Sequence, residues 1–229
     1  MKKGFSYFDK VFLINLDDRS DRLKRCEEVF KEYEVADIVE RYPAQIPLQE
    51  EYFSYITESG IKSDGTKIKI GEYGCMSSHV NIIKMAKANG WSSVLVLEDD
   101  VKFLNHEYID ISIQQLQEEE WNLFYLGNNT HIPLDKVNDN LLELKFGYAT
   151  HAVAYHERFY DKIITAFDKK EIKIIDVWLS ENGQEKTKCF CSFPITAIQE
   201  NSYSDIHECV IDYSWMAVNF NNNTKHIKQ

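Results

Sequence analysis

The run Ser92-Ser93-Val94-Leu95-Val96-Leu97-Glu98-Asp99-Asp100-Val101 limits what this chain can fold into more than any other stretch. Four aliphatic residues in succession, two of them Val, fit a strand covered on both faces, as in a parallel or mixed sheet beneath helices. A strand of that kind that stops at three carboxylates has reached the edge of its sheet. Ligands of open α/β sheets bind in the crevice at the strands' carboxyl ends, so acids placed there can hold a hard divalent cation such as Mg²⁺ or Mn²⁺. If Glu98 and Asp100 stay extended, they face the same way. The plainer reading is that the acids cap the next helix or solvate a turn.

The chain has 229 residues, 44% hydrophobic and 13% aromatic, which is enough for one α/β domain with a sizeable core. A net charge of −11, with 26 basic residues scattered among 37 acids, argues against a nucleic-acid partner. A small anionic substrate remains compatible where a metal ion or a few placed arginines supply local positive charge. No stretch approaches the ~20 apolar residues of a membrane span, and Val11 to Leu16 is too short and too polar at its flanks for an export signal. The expectation is a soluble, cytoplasmic protein, though peripheral membrane contact stays open. Five cysteines are dispersed, and only Cys189 and Cys191 are close, on one face of a strand with no second pair for zinc. In a chain without an export signal the sequons at Asn128 and Asn222 are read as coincidence.

Taken in order, Lys10 to Leu16 reads as a strand that breaks at Asp17-Asp18-Arg19-Ser20, and Leu23, Cys26, Phe30 and Tyr33 form the apolar stripe of a helix capped by Asp18 or Ser20. The turn of this βα unit carries Asn15, Asp17, Arg19 and Arg22, well placed to meet a nucleotide or simply solvated. Residues 41–72 read as a loop over a cleft or a small subdomain, on the acceptor side if the protein is a transferase. Gly71-Glu72-Tyr73-Gly74-Cys75-Met76-Ser77-Ser78-His79 then reads as the entry to a helix ending at Asn89-Gly90. Free N–H groups at such an entry favour a diphosphate, with Ser77, Ser78 and His79 as extra donors; alternatively a serine is the cap and His79 a satisfied buried histidine. Further strands are expected at Trp121–Leu126, Tyr148–Tyr155 and Cys189–Phe193, and Asp176 stands at the entry to a short helix. The domain is read as 1–218, and the Asn- and Lys-rich segment 219–229 as a flexible tail.

Three blocks in this order resemble one known family: Asn15-Leu16-Asp17-Asp18-Arg19-Ser20-Asp21-Arg22, Gly74-Cys75-Met76-Ser77-Ser78-His79 and Leu97-Glu98-Asp99-Asp100-Val101. They are similar to the glycosyltransferase family 25 domain, which includes lipooligosaccharide and collagen galactosyltransferases. The resemblance is strong over the first half of the chain and thinner over the second, where Asp176 and the Pro194 to Ile206 region carry it. It implies a GT-A-type, Rossmann-like mixed sheet flanked by helices and a UDP-sugar donor, usually UDP-galactose. It also implies a Mn²⁺-type ion (Mg²⁺ being possible) and inverting transfer to a glycan or protein hydroxyl. By the same resemblance Asn15, Asp17, Arg19 and Arg22 face the nucleotide, Ser78 and His79 lie beside the donor, and Asp99 serves the ribose. Asp100 and Glu98 hold the metal, with His207 as the third ligand in the manner of GT-A enzymes.

One-step inversion needs a base that is not a metal-bound acid. Asp176, among Ile174, Ile175, Val177 and Trp178, is the candidate, with Trp178 offering a face to the sugar. As a plain cap, Asp176 would leave that role to Glu200 or Asp205. Two other functions compete: a non-catalytic nucleotide-sugar or glycan-binding module, which a broken acidic triplet would suggest, and a sugar nucleotidyltransferase. The latter would want a glycine-rich phosphate loop after strand one, and Asp17-Asp18-Arg19-Ser20 contains no glycine.

Overall fold

Side chains alternate between two apolar cores along the central strands of the sheet, which is the period-2 geometry of a strand buried on both faces. Phe12, Ile14, Val94, Val96, Val153 and Tyr155 enter one core with Met76, Val80, Ile83, Phe159 and Ile163. Val11, Leu13, Leu95, Leu97, Ala152 and Ala154 enter the other with Cys26, Phe30, Ile109, Ile113 and Leu116. The structure, a computed structural model, describes residues 4–227.

The chain runs through β1 (Lys10–Asn15), α1 (Ser20–Glu32), β2 (Val39–Pro43), α2 (Gln49–Ser59) and α3 (Ile70–Ala88) to β3 (Ser93–Glu98) and β4 (Val101–Phe103). Next come α4 (Glu107–Leu116), β5 (Leu123–Tyr125) and four short strands, β6 (Asn129–Thr130), β7 (Asp135–Lys136), β8 (Leu141–Glu143) and β9 (Gly147–Tyr148). Then follow β10 (Ala152–His156), α5 (Glu157–Asp168), α6 (Ile175–Leu179), β11 (Cys189–Ser192) and β12 (Ala197–Gln199). A hairpin of β13 (Ser202–Ser204) and β14 (Cys209–Ile211) precedes α7 (Trp215–Thr224). Eight strands form a mixed sheet in the order β2-β1-β3-β10-β5-β11-β8-β7. β1 is parallel to β2 and β3, and β10 is antiparallel to β3 and β5. The mixed α/β sheet with helices on both faces matches the expectation from the sequence.

Two local expectations change. α3 begins at Ile70, ahead of the whole Gly71 to His79 stretch expected as its entry, so the N–H groups of Gly74 to His79 lie inside the helix and are spent on its own carbonyls. The glycine at 74 has a packing reason instead: a Cβ there would stand 2.7 Å from the carbonyl oxygen of Gln45, where the 44–47 loop crosses the helix. The tail expected from Asn219 is packed chain as far as the described residues go. Phe220 is buried, and Asn219 and Asn223 donate to Asn129 Oδ1 and the Thr130 carbonyl at 3.3 and 3.2 Å. Residues 228 and 229 lie outside the described residues.

Segment 41–72 carries the end of β2, α2 and the polar turn at Ser63–Thr66. Tyr55 is buried with its hydroxyl on the Ile172 carbonyl, 2.7 Å away, and a cleft of about 370 Å³ opens between this segment and Tyr73, Ser77 and Asn81 of α3. Those three residues recur at a spacing of four, so Cys75 and His79 emerge on the opposite side of the helix, toward β3. Asn128 is fully buried, which closes that sequon in the folded chain. Among the described residues no helix is long and apolar enough to cross a membrane.

Candidate active site

β3 ends at Glu98, and Asp99 and Asp100 form a tight turn into β4. The alternation that sends Leu97 toward α1 sends Glu98 toward α3 and Asp99 back toward α1. Each acid therefore has different partners.

Asp99 is buried, and both of its oxygens are engaged: Asn15 Nδ2 donates to Oδ2 at 2.8 Å and Arg22 Nη1 to Oδ1 at 2.7 Å. Its carbonyl oxygen accepts from Arg25 and from the Cys26 thiol. This differs from the expectation of a carboxylate free for ribose hydroxyls; here Asp99 ties the end of β3 to β1 and α1. Arg22 is correspondingly a buried strut, whose Nη2 also reaches the Tyr203 carbonyl and Ser202 Oγ. Asn15 completes the knot by accepting from Arg41 Nε at 3.0 Å. Arg19 and Asp17 lie further out, Arg19 pairing with Asp21 and Asp205, and Asp17 with Arg41.

Glu98 Oε1 accepts from Thr150 Oγ1 at 2.6 Å and lies 3.1 Å from His79 Nε2, with Cys75 Sγ at 3.9 Å. Burial pushes this carboxyl up, but the His79 and Thr150 hydrogen bonds outweigh it and hold the group below its ordinary value. His79 is fully buried, and its Nδ1 is 3.0 Å from the Tyr155 hydroxyl. The residue expected to touch the donor is thus a buried link between Glu98 and Tyr155. Ser78 is likewise buried, donating to the Gly74 carbonyl and accepting from Gln45 N–H, both at 2.8 Å, which leaves it no free donor.

Asp100 differs from its neighbours. Oδ2 accepts from Gln199 Nε2 at 3.0 Å, while Oδ1 is enclosed and has no hydrogen-bond partner among the described residues. Burial, and then the charge of Glu98, pushes its carboxyl up to about 7. A carboxylate with one enclosed oxygen lacking a partner, under the influence of a second acid's charge, is a poor arrangement by itself, and a divalent cation would relieve it. The donor set, oxygens from Asp100 and Glu98, suits Mn²⁺ or Mg²⁺.

Asp176 lies within the first turn of α6, not at its cap, which is Ile174. Its oxygens accept from Val177 N–H at 2.7 Å and Ala149 N–H at 3.2 Å. Burial raises its pKa against the pull of those two N–H groups, and the charge of Glu98 adds to the rise. Ala149 holds a φ of 76°, a costly setting for a residue with a Cβ, and it sits between the contact to Asp176 and the Thr150 contact to Glu98. Trp178 is 8% exposed and packs on Phe159, so it belongs to the core rather than offering a face to a sugar.

His207 stands exposed in the turn of the β13–β14 hairpin, and its imidazole makes no hydrogen bond to the acids; it is not brought to them as a third ligand. Thr150, His151, Gln199 and Tyr213 are neighbours of the acids that sequence reasoning missed. The His151 carbonyl oxygen accepts from the Glu98 N–H at 2.9 Å, and burial lowers the His151 imidazole pKa to about 4. Burial, then the charges of Asp100 and Glu98, raises the Tyr213 hydroxyl to about 12.

The family model of Glycosyltransferase family 25 (LPS biosynthesis protein) matches residues 8–181. The chain belongs to this family. It is 30% identical over 192 residues to procollagen galactosyltransferase 1 of Danio rerio, covering 75% of this chain and 31% of the relative. It is 32% identical over 139 residues to a human relative named inactive glycosyltransferase 25 family member 3, covering 52% and 22%. The chain thus spans less than a third of the length of these relatives. Among solved structures it is similar, at 10% identity and a TM-score of 0.38, to a glycosyltransferase involved in glycosylation of the major capsid of PBCV-1, covering 69% of this chain and 64% of that one.

Proposed function

We propose that this chain is a metal-dependent, inverting hexosyltransferase that moves a sugar, most simply galactose, from a UDP-sugar to a hydroxyl of a glycan or protein. The observation that carries the reading is the pair Glu98 and Asp100 at the carboxyl end of β3 in a family 25 chain, with one enclosed Asp100 oxygen lacking a partner among the described residues. Asp100 and Glu98 would hold Mn²⁺, which when bound offsets the charge of the departing diphosphate. Asn15, Asp99 and Arg22 fix the turn that presents these acids, while Arg19 and Asp17, further out on the same rim, are left to meet the nucleotide.

Asp176 is the proposed base. Its raised pKa makes it a stronger base toward an acceptor hydroxyl than an ordinary aspartate, and the N–H groups of Ala149 and Val177 fix its orientation. The rival reading, a nucleotide-sugar binding module without turnover, draws on the relatives named inactive at similar identity; the intact acidic triplet favours turnover. Asp176→Asn separates the two. Donor binding should stay near wild type while kcat falls by about 10²–10⁴-fold, the usual cost of losing a general base. Retention of most of kcat would remove Asp176 from the chemistry and turn attention to Glu200 or Asp205.

A further inference from the structure

We infer that Cys75, His79 and Glu98 form a binding site for a thiophilic divalent cation of the Zn²⁺ class, separate in chemistry from an all-oxygen Mn²⁺ site but sharing Glu98 with it. Cys75 and His79 are four residues apart on α3, so they emerge on one face of the helix, and that face meets the end of β3 where Glu98 stands. Sγ, Nε2 and the Glu98 oxygen all lie within 4.8 Å of one another, with Nε2–Oε1 at 3.1 Å and Sγ–Oε1 at 3.9 Å. Tetrahedral zinc with bonds of about 2.0–2.3 Å needs ligand atoms about 3.3–3.7 Å apart, so closure takes small side-chain shifts.

The surroundings are those of a built site. Nδ1 of His79 is held by the Tyr155 hydroxyl at 3.0 Å, which presents Nε2 to the ligand position, and the same role falls to Thr150 on Glu98. Thiolate, imidazole and carboxylate is a donor set that selects zinc over manganese. Cys75 and Glu98 are each only partly buried, which leaves a route of entry. On binding, the Cys75 thiol gives its proton to solvent and the thiolate pairs with the cation. Because Glu98 serves both sites, a thiophilic cation here competes with an oxygen-bound one for the same carboxylate.

The test needs no sugar turnover, so it stands or falls apart from the transferase reading. Co²⁺ added to metal-stripped full-length protein should give the sulfur-to-cobalt charge-transfer absorption, retained in Cys209→Ser and lost in Cys75→Ser. Tyr155→Phe should keep the band and weaken Zn²⁺ affinity by about 10–100-fold, the usual cost of losing a partner that orients a ligand. In the unmutated chain, Zn²⁺ should slow alkylation of Cys75 but not of Cys209, a readout independent of whether the variants fold. No band at saturating Co²⁺, a band that survives Cys75→Ser, or equal alkylation of Cys75 with and without Zn²⁺ would each overturn the inference.

Discussion

Asp100→Asn is expected to cut sugar transfer by at least ~10²–10³-fold, the scale on which one electrostatic contact to developing charge is worth, and yet to raise the melting temperature of the metal-free protein at pH 8. The carboxyl is buried with one oxygen lacking a partner, so its ionised form is penalised in the folded state. An amide of the same shape keeps the Gln199 contact without that charge. The pH profile carries the sign. With a folded pKa of about 7 against an ordinary 3.8, the folded state holds a proton that the unfolded state releases, so this group lowers stability as pH rises from about 4 to 7. His151 works in the opposite direction. Its folded pKa of about 4 lies below the ordinary 6.5, so its contribution is full above 6.5 and is lost as pH falls toward 4. At roughly 1.4 kcal/mol per unit of pKa shift the Asp100 slope amounts to about 4–5 kcal/mol and the His151 slope to about 3–4 kcal/mol, and the two oppose one another over this range. Asp100→Asn removes one of them, so the variant should lose about 3 kcal/mol between pH 6.5 and 4 where the parent changes little. Parallel profiles for the two proteins in chemical denaturation would show that Asp100 is not buried as described.

Arg22→Ala should be the most destabilising of the rim substitutions, by about 3–5 kcal/mol, because it strips a buried carboxylate of its cation and leaves Asp99 with Asn15 alone. For a chain of this size that corresponds to a fall in melting temperature of roughly 10 °C. Arg19→Ala, whose partners Asp21 and Asp205 are far more exposed, should cost no more than about 1 kcal/mol. Urea denaturation of the two variants decides the matter, and equal costs would return Arg22 to the surface. The contrast separates residues that the sequence groups together: one arginine of the first turn builds the rim, and the other pairs with more exposed acids.

What was legible follows from local periodicity. Four aliphatics before three acids identified the central strand and its edge, and alternation alone dictates that Glu98 and Asp99 face opposite layers. The family was legible because three separate blocks occur in order. What was hidden depends on contacts across long stretches of chain. Gly71 stands at the helix boundary as expected, whereas Gly74 sits inside α3, where the Gln45 carbonyl comes too close for a side chain. Asp99 looked free because its partners are 84 and 77 residues away. Thr150 and Gln199 carry no motif of their own and reach the acids only through sheet pairing, β10 against β3 and β12 against β4. His207 sits near Asp205 in sequence, and the hairpin that brings Asp205 to Arg19 turns His207 outward. The neighbours of Trp178 in sequence suggest a sugar face, but a large apolar ring in a short helix gains more by burial, and Trp178 packs on Phe159 in the core.

Whether Glu98 and Asp100 hold a cation that supports a nucleotide sugar is tested most directly by hydrolysis of a panel of nucleotide sugars without acceptor. The account predicts slow hydrolysis of a UDP-sugar, UDP-galactose foremost, that requires Mn²⁺, stops with EDTA and is absent in Asp100→Asn. Hydrolysis at equal rates with EDTA present, or undiminished in Asp100→Asn, would contradict it.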